Sequence, residues 1–361
     1  MRLAWVELRD FRNHEQTRLG DLPSGVVTVV GPNGEGKTNL LEGIAFLFLL
    51  ASPRTSSAEP IVRRGADASA YARGEVETEG GRVLVEVEIP GRGANRVLVN
   101  RSPVRRKRDL RRQVRAVFFG PDDLFVVIGD PGRRRGFLDE ALRSLWPLKE
   151  GAVTAYERVL RQRNRLLKEH DGRGAPSGLD MWDEQLVQAG VELIRLRSKV
   201  AGLLGPPASR EHARLAEYDL EVAYAPNVVG DELEESFVER LAARRSDELI
   251  RRTTLVGPHR DDLSLAVRDM GARAFASHGE GWAAALCLRL GLATAIEDEA
   301  GEPPVLLLDD PFSALDPQRQ KRVGEHLSER GQVFVSVGDA AHVPGSSTLV
   351  LAVSAGAVRA A

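Results

Sequence analysis

The eight residues Gly31-Pro32-Asn33-Gly34-Glu35-Gly36-Lys37-Thr38 constrain this chain more than any other stretch. They satisfy G-x-x-x-x-G-K-[ST] and lie where that pattern has physical meaning. An apolar, branched strand, VVTVV at 26–30, precedes them, and an apolar helix reaching about Leu50 follows. Gly31, Gly34 and Gly36 let the loop curl until backbone N–H groups face one point, and the helix N-terminus adds favourable partial charge there. The expected ligand is ATP with Mg²⁺. Asn33 and Asn39 flank the phosphates, Lys37 reaches the β- and γ-phosphates and aids catalysis, and the Thr38 hydroxyl ligates the metal. A chance glycine turn is the alternative, and the strand–loop–helix context argues against it.

Such a loop needs an acid at the end of a neighbouring strand. PVLLLDD at 304–310 supplies it: Val305 to Leu308 are apolar, and Asp309 and Asp310 follow. Asp309 is expected in the metal shell, and Asp310 is expected to orient or deprotonate an attacking water. The two motifs stand about 270 residues apart, farther than in a compact kinase or small GTPase. The spacing predicts an α/β fold, the ABC-type P-loop ATPase head, with a mixed sheet, flanking helices and an inserted helical arm. In that class two subunits sandwich ATP, and a serine–glycine motif opening a helix reads the other subunit's γ-phosphate. Within FASHGEGWAAAL at 275–286, Ser277 and Gly279 fit that role better than a His278–Glu280 catalytic pair. PFSALD at 311–316 resembles the D-loop.

The rest of the chain falls around these motifs. Residues 2–8, 70–78, 82–89, 95–99, 115–119, 263–267 and 332–337 read as strands, and helices are expected at about 281–297 and 317–329. From about Leu145 to Ala243 the pattern is helical. Trp182, Leu186, Ala189, Leu193, Leu196, Val200 and Leu203 form an a/d seam, and Val153, Tyr156, Leu160 and Leu167 form a second stripe interrupted by Arg163. DGRGAPSG at 171–178 separates the two. The expected division is 1–144 for the first part of the head, 145–250 for a helical hairpin arm, and 251–361 for the rest of the head. Whether the arm projects as a coiled-coil stub or packs as a plain helical subdomain stays open. The single cysteine, Cys287, rules out an internal disulfide and a cysteine-built metal site. The N-terminus lacks a signal-peptide core and no apolar run spans a bilayer, so a cytoplasmic protein is expected.

Taken together, these blocks resemble one family, the RecF recombination-mediator ATPases. DFRNHE at 10–15, GPNGEGKTNLLEGIAFL, SPRTS at 52–56, FGPDDLFVVIGDPGRRRGFLDEAL at 119–142, TLVGPHRDDLSL at 254–265 and LLLDDPFSALD carry the likeness. GPHRDD is the most specific, having no generic ATPase explanation. The resemblance implies a DNA-binding protein of recombinational repair, replication restart and the SOS response. Such a protein forms an ATP-dependent homodimer, recognises gapped DNA or single-/double-strand junctions, and works with RecO and RecR to load recombinase. Its weak, DNA-stimulated ATPase serves as a switch. Arg12 is implied to lie against the nucleotide base, and the roles of His259 and Arg260 stay unassigned. Two departures stand out. Glu280-Gly281-Trp282 replaces the family's usual glutamine and Gln-Arg, and Ser336 stands near where transporters place a switch histidine.

Net charge is only −2, so charge distribution matters more than the total. Arg101, Arg105, Arg106, Lys107, Arg108, Arg111 and Arg112 are the candidate DNA contacts, joined in sequence by Arg115 and opposed only by Asp109. Few aromatics interleave with them, which favours duplex or junction backbone over stacked single strands. A solvated basic hairpin and helix face is the plainer reading. Two rival functions remain: a structural chromosome ATPase of the SMC type, against which the short arm argues, and a P-loop kinase of a small metabolite.

Overall fold

The computed structural model describes residues 1–55, 57–66, 68–169, 176–216 and 218–361. Most of the 171–178 helix break, and Ser56 of SPRTS, lie outside the described residues.

Among the described residues, two six-stranded sheets and one three-stranded sheet are formed. The central sheet holds β3 (Gly25–Val30), β8 (Ala116–Phe119), β12 (Val305–Leu308), β13 (Gln332–Val337), β14 (Ser347–Ser354) and β15 (Ala357–Ala360), in the order β15-β14-β3-β13-β12-β8. All its neighbours run parallel except the β14–β15 edge pair. Strands β3, β8, β12 and β13 are nearly continuous apolar runs because both their faces are covered. Alternation then divides them. Val117, Phe119, Leu306, Leu308, Val333 and Val335 face one core, whereas Phe118, Val305, Leu307 and Phe334 face the other.

The second core is closed by α1 (Lys37–Leu49) and an antiparallel sheet, ordered β2-β1-β4-β5-β6-β7. Its strands are β1 (Arg2–Phe11), β2 (His14–Leu19), β4 (Ser69–Thr78), β5 (Gly81–Pro90), β6 (Arg96–Val99) and β7 (Ser102–Pro103). The short helix α2 (Lys107–Arg111) leads from this sheet to β8.

The first core is closed by α3 (Leu124–Ile128), α4 (Pro131–Leu145), α5 (Gly151–Glu169), α6 (Leu179–Ala216), α7 (Leu233–Arg251) and α9 (His278–Ala300). The remaining sheet, β11-β10-β9, joins it: β9 (Leu220–Ala225), β10 (Asp262–Val267) and β11 (Met270–Gly271). Helices α8 (Ala272–Phe275) and α10 (Pro317–Leu327) complete the α-helices of the described residues.

The helical region thus shares one hydrophobic core with the head. Helix α6 lies so close to α9 that a Cβ on Gly291 would fall 2.7 Å from the Ala208 backbone nitrogen. Within α6 the expected seam is only partly right. Leu186, Leu193 and Val200 are buried, but Leu203 is 38% exposed. An unsupercoiled helix drifts about 20° per heptad away from a 3.5-residue seam, so the buried face moves on to Leu204 and Ala208. Two further corrections concern this half of the chain. The stretch read as all-helical contains strand β9, and α9 begins at His278 rather than near Gly281.

Arg163 does not interrupt the α5 stripe but continues it. Fully buried, it pairs with Asp183 at 2.7 Å and Glu248 at 2.6 Å and donates to Thr254 Oγ1 at 2.8 Å. A charge can occupy that face because each guanidinium nitrogen finds a partner.

Candidate functional site

Four parallel strands end side by side, and loops at their carboxyl ends form the site, as expected for an α/β sheet. Residues 31–36 connect β3 to α1. Gly36 has φ +117°, and a Cβ there would sit 2.6 Å from the Asn13 amide. That amide donates to Glu35 O at 2.9 Å, and its oxygen accepts from Asn39 Nδ2 at 2.8 Å. His14 Nε2 lies 3.1 Å from Gly36 O. The turn between β1 and β2, carrying the FRN residues, therefore braces the loop from outside. Lys37, buried at 7% exposure, donates to Gly31 O at 2.7 Å and Pro32 O at 3.0 Å and lies 3.5 Å from Asn33 Oδ1. Its ammonium is anchored on the loop's own carbonyls, with Gly34 at the loop's left-handed bend.

The acid half meets this loop across 271 residues. Thr38 Oγ1 donates to Asp309 Oδ1 at 2.9 Å. Ser336, next to last in β13, the strand between β3 and β12, donates to the same oxygen at 2.7 Å. The Asp310 N–H donates to Ser336 Oγ at 2.9 Å. Asp310 itself takes φ 52°, a conformation uncommon for a residue with a side chain. Burial pushes the Asp309 carboxyl up from its ordinary range, opposed by the Ser336 and Thr38 hydrogen bonds. Burial and the neighbouring Asp309 push Asp310 up as well. Both carboxylates would be stabilised by a cation.

Among the described residues no group of three or more His, Cys, Asp or Glu is arranged around a metal position. Thr38 and Asp309 fit Mg²⁺ nonetheless, because that ion takes oxygen ligands and usually needs only one or two carboxylates beside phosphates and water.

A cleft of about 760 Å³ opens beside this pair, lined by Arg12, Thr38, Arg54, Asp123, Arg289 and Asp309 among others. Arg12 lies at its wall, held through two hydrogen bonds to Glu42 at 2.9 and 2.6 Å and one to Pro60 O at 2.7 Å. Glu42 is fully buried and also accepts from Ser52 at 2.5 Å and Arg54 at 3.1 Å. Arg54 donates further to Asn39 Oδ1 at 3.0 Å. Arg289, on α9, pairs with Asp123 and Glu140, each at 2.6 Å. Sequence reasoning missed Asn13, Glu42, Arg54, Asp123 and Arg289. The FRN, SPRTS and FGPDDLF blocks marked where three of them stand without saying which side chains would converge.

The signature residues lie elsewhere on the surface of the same core. Ser277 is the exposed N-cap of α9, and its oxygen accepts the Glu280 N–H at 3.3 Å. Glu280 Oε2 in return accepts the Ser277 N–H at 2.9 Å, and Arg268 lies 3.4 Å from Glu280. The acid that replaces the usual glutamine thus closes a capping box. The Ser277 N–H holds the Glu280 carboxyl below its usual range. In this box the Ser277 oxygen accepts, which leaves its O–H as a donor. Gly279 sits at the open end of α9, and His278 stacks on Trp282 with centroids 6.3 Å apart. No His278–Glu280 pair forms, because the Glu280 carboxylate is turned onto the cap. Trp282 is the joint between the halves. It donates to Pro311 O at 2.9 Å and meets Phe119 edge-on at 5.3 Å.

The basic cluster divides. Arg101, Arg105, Arg106, Lys107 and Arg112 are exposed. Arg105 and Lys107 line a second cleft of about 900 Å³ with Arg54 and Arg133. Arg111, by contrast, pairs with Glu150 at 2.9 Å, and Arg108 lies partly buried 4.0 Å from Asp109. These two serve the packing of α2.

GPHRDD forms a knot of hydrogen bonds and ion pairs. His259 bonds the Tyr156 hydroxyl at 2.7 Å and Thr254 O at 3.0 Å, and burial lowers its pKa to about 4. Asp261 is fully buried against Arg197 at 3.2 Å and accepts from the Tyr224 hydroxyl and the Asn227 N–H. Asp262 takes two hydrogen bonds from Arg134, at 2.6 and 2.9 Å. Arg260 alone among the motif's charged residues is exposed.

Comparison with known proteins agrees with this geometry. The family model described as RecF/RecN/SMC N terminal domain matches residues 2–355. The chain is 42% identical to the DNA replication and repair protein RecF of Streptomyces avermitilis, covering 96% of this chain and 95% of that protein. It is 41% identical to the protein of the same name from Cutibacterium acnes, covering 94% and 93%. A solved structure of the recombination mediator protein RecF-ATP in the RecFOR pathway superposes with a TM-score of 0.88 at 28% identity, over 99% of this chain and 97% of that one. An Smc head domain from Pyrococcus furiosus, at 16% identity, shares the fold with a TM-score of 0.58 over 99% of this chain and 95% of the other.

Proposed function

The chain belongs to the RecF family of DNA replication and repair proteins, within the RecF/RecN/SMC N-terminal-domain class, and from that premise we propose that it is an ATP-operated switch on DNA. The observation that carries the reading is the bond from Thr38 to Asp309, which joins a phosphate loop to an acid 271 residues away while the signature serine stays exposed. One face supplies a phosphate cradle; another supplies an exposed helix cap.

Gly31, Asn33, Gly34, Gly36, Lys37, Thr38 and Asn39 would hold the nucleotide phosphates, with Arg12 at the wall toward the base. Thr38 and Asp309 would hold Mg²⁺, which when bound shields phosphate charge and draws the oxygens together. Lys37 would place positive charge against the β/γ bridge. Asp310 would hold a water in line with the γ-phosphate, and the Ser336 hydroxyl fixes the Asp310 backbone for it. A second copy's Ser277 and the N-terminus of α9 near Gly279 would meet that phosphate from the other side. ATP then closes a homodimer, and loss of the γ-phosphate removes the contact that favoured closure. The arm, residues 145–250, would move with α9 because the two share a core.

The DNA substrate is proposed to be duplex next to a gap or a single-/double-strand junction, with RecO and RecR as partners in loading recombinase. Exposed Arg101, Arg105, Arg106, Lys107 and Arg112 are the first candidates for backbone contact. One titration series tests the whole reading: gapped, duplex and single-stranded DNA, each with ATP, ADP or no nucleotide. Tight binding is expected only with ATP, and equal affinity in all three nucleotide states overturns the switch. Charge reversal at Arg105, Arg106 and Lys107 should weaken binding and flatten its salt dependence.

A further inference from the structure

The knot made by GPHRDD leaves one side chain unexplained. Pro258 is buried, His259 bonds Tyr156, and Asp261 and Asp262 hold Arg197 and Arg134. Arg260 instead faces a cleft of about 480 Å³ on the arm, whose lining includes Asn227, Arg240, Arg244, Asp247 and Arg251. All four arginines are exposed. Arg244 has a neighbour of opposite charge, Asp247 at 3.0 Å, and among the described residues Asp247 is the single acid lining this cleft. Its lining therefore carries an excess of three positive charges in a chain whose net charge is −2.

The arrangement is linear. Arg240, Arg244 and Arg251 fall on one face of α7, flanking the stripe of Phe237, Leu241 and Glu248 that buries the helix. At 1.5 Å per residue the row extends about 16 Å, and at 3.4 Å of rise per nucleotide that is the length of about five backbone phosphates. Asp247, on the same face, offsets Arg244, whereas Glu235 and Glu239 lie about 100° or more from the row around the helix, so α7 leaves the row with a net positive charge. A single small anion would use one or two of these guanidinium groups. A charged polymer lying along α7 would use them all, and planar forked donors suit phosphodiester oxygens.

We propose that this face of the arm is a second DNA-backbone site, separate from the basic cluster around α2. The inference rests on the DNA-binding reading above and extends it: one duplex would be held both by the head and by the arm. Because α6 of the arm packs on α9, such a contact would also report whether the signature helix is in its closed position. This gives the most family-specific motif a divided role. Its buried members fix the arm to the head, and Arg260 presents that junction to the DNA.

The test compares wild type, an arm variant (R240E/R251E/R260E) and a head variant (R105E/R106E/K107E) in duplex-binding titrations with ATP and Mg²⁺, repeated over a range of salt. Each lost phosphate contact should lower the slope of log affinity against log salt by about 0.9, so the arm variant should lose up to about 3 and bind at least tenfold more weakly. R240E/R251E touches neither Arg260 nor the knot, and it should show about two-thirds of that slope change if the triple variant folds poorly. An arm variant with wild-type affinity and slope, beside a head variant that has lost both, overturns the second site and leaves the head reading intact. Wild-type protein that binds no duplex at all overturns both. Unchanged duplex binding with loss of binding to poly-L-glutamate would assign the face to an acidic protein segment and overturn the DNA assignment.

Discussion

The two halves of the nucleotide site are built on opposite plans. In the phosphate-loop half, polar groups close on one another within the chain: Lys37 on Gly31 and Pro32, Thr38 and Ser336 on Asp309, and Asn13 on the loop backbone. In the signature half, Ser277 and Glu280 close on each other in a capping box, with Arg268 3.4 Å from Glu280, at the exposed end of α9. The difference teaches which half is finished by folding and which needs something from outside. A buried polar cluster is stable only when its members are paired, so the first half must be organised in the monomer. An exposed helix end costs little to leave open, because water satisfies it.

Perturbations of each half sharpen this contrast. The largest effect is expected at the joint. Trp282→Ala removes a nearly buried ring and its bond to Pro311, and should cost about 3–5 kcal/mol of stability in denaturant unfolding. Less than about 1 kcal/mol would mean that Trp282 does not couple the halves. Lys37→Ala strikes only the finished half: ATP turnover should fall about 10²–10³-fold while melting stays close to wild type. A comparable loss of fold would show that the half is structural first.

A change touching neither half provides a control. His259 is kept neutral by burial, with its pKa lowered from 6.5 to about 4, so the unfolded chain binds the extra proton between those values. Stability from this residue is therefore fully present above pH about 6.5 and is lost as pH falls toward about 4, a total of about 3 kcal/mol. Unfolding free energies of wild type and His259→Gln between pH 4.5 and 7.5 should converge toward the acid end; parallel curves contradict the knot. The smallest effect belongs to the open half. Ser277→Ala should cost only about 1 kcal/mol, the value of a helix cap, and should leave monomeric nucleotide binding unchanged by equilibrium dialysis.

Much of the fold was legible, for reasons of period and punctuation. VVTVV, PVLLLDD and QVFVSV are runs buried on both faces and bounded by glycine, proline or acid, so strands β3, β12 and β13 stood out. Strand β2, HEQTRL, did not, because only His14, Thr17 and Leu19 face inward and none forms an apolar run. Strand β9 was hidden by the helical periodicity on either side of it. Arg163 was read as a break because sequence shows a charge but not the Asp183, Glu248 and Thr254 that surround it from other elements. The same limit applies to the site. Local pattern singled out Lys37, Thr38, Asp309, Ser277 and Ser336, whereas Asn13 and Arg54 act through partners on other elements. Glu280 stood out as a departure from the family pattern, and its answer is local: a capping box spanning the four residues from Ser277 to Glu280.

The central claim is that the finished half and the open half meet only between two copies of the chain. Sedimentation velocity of wild type and Ser277→Arg, with no nucleotide, ADP or saturating ATP and Mg²⁺, tests it most directly. The expected result is a wild-type dimer in ATP alone, and a variant that still binds ATP yet stays monomeric. A wild-type monomer in saturating ATP, or a Ser277→Arg protein that dimerises as wild type does, would contradict the account.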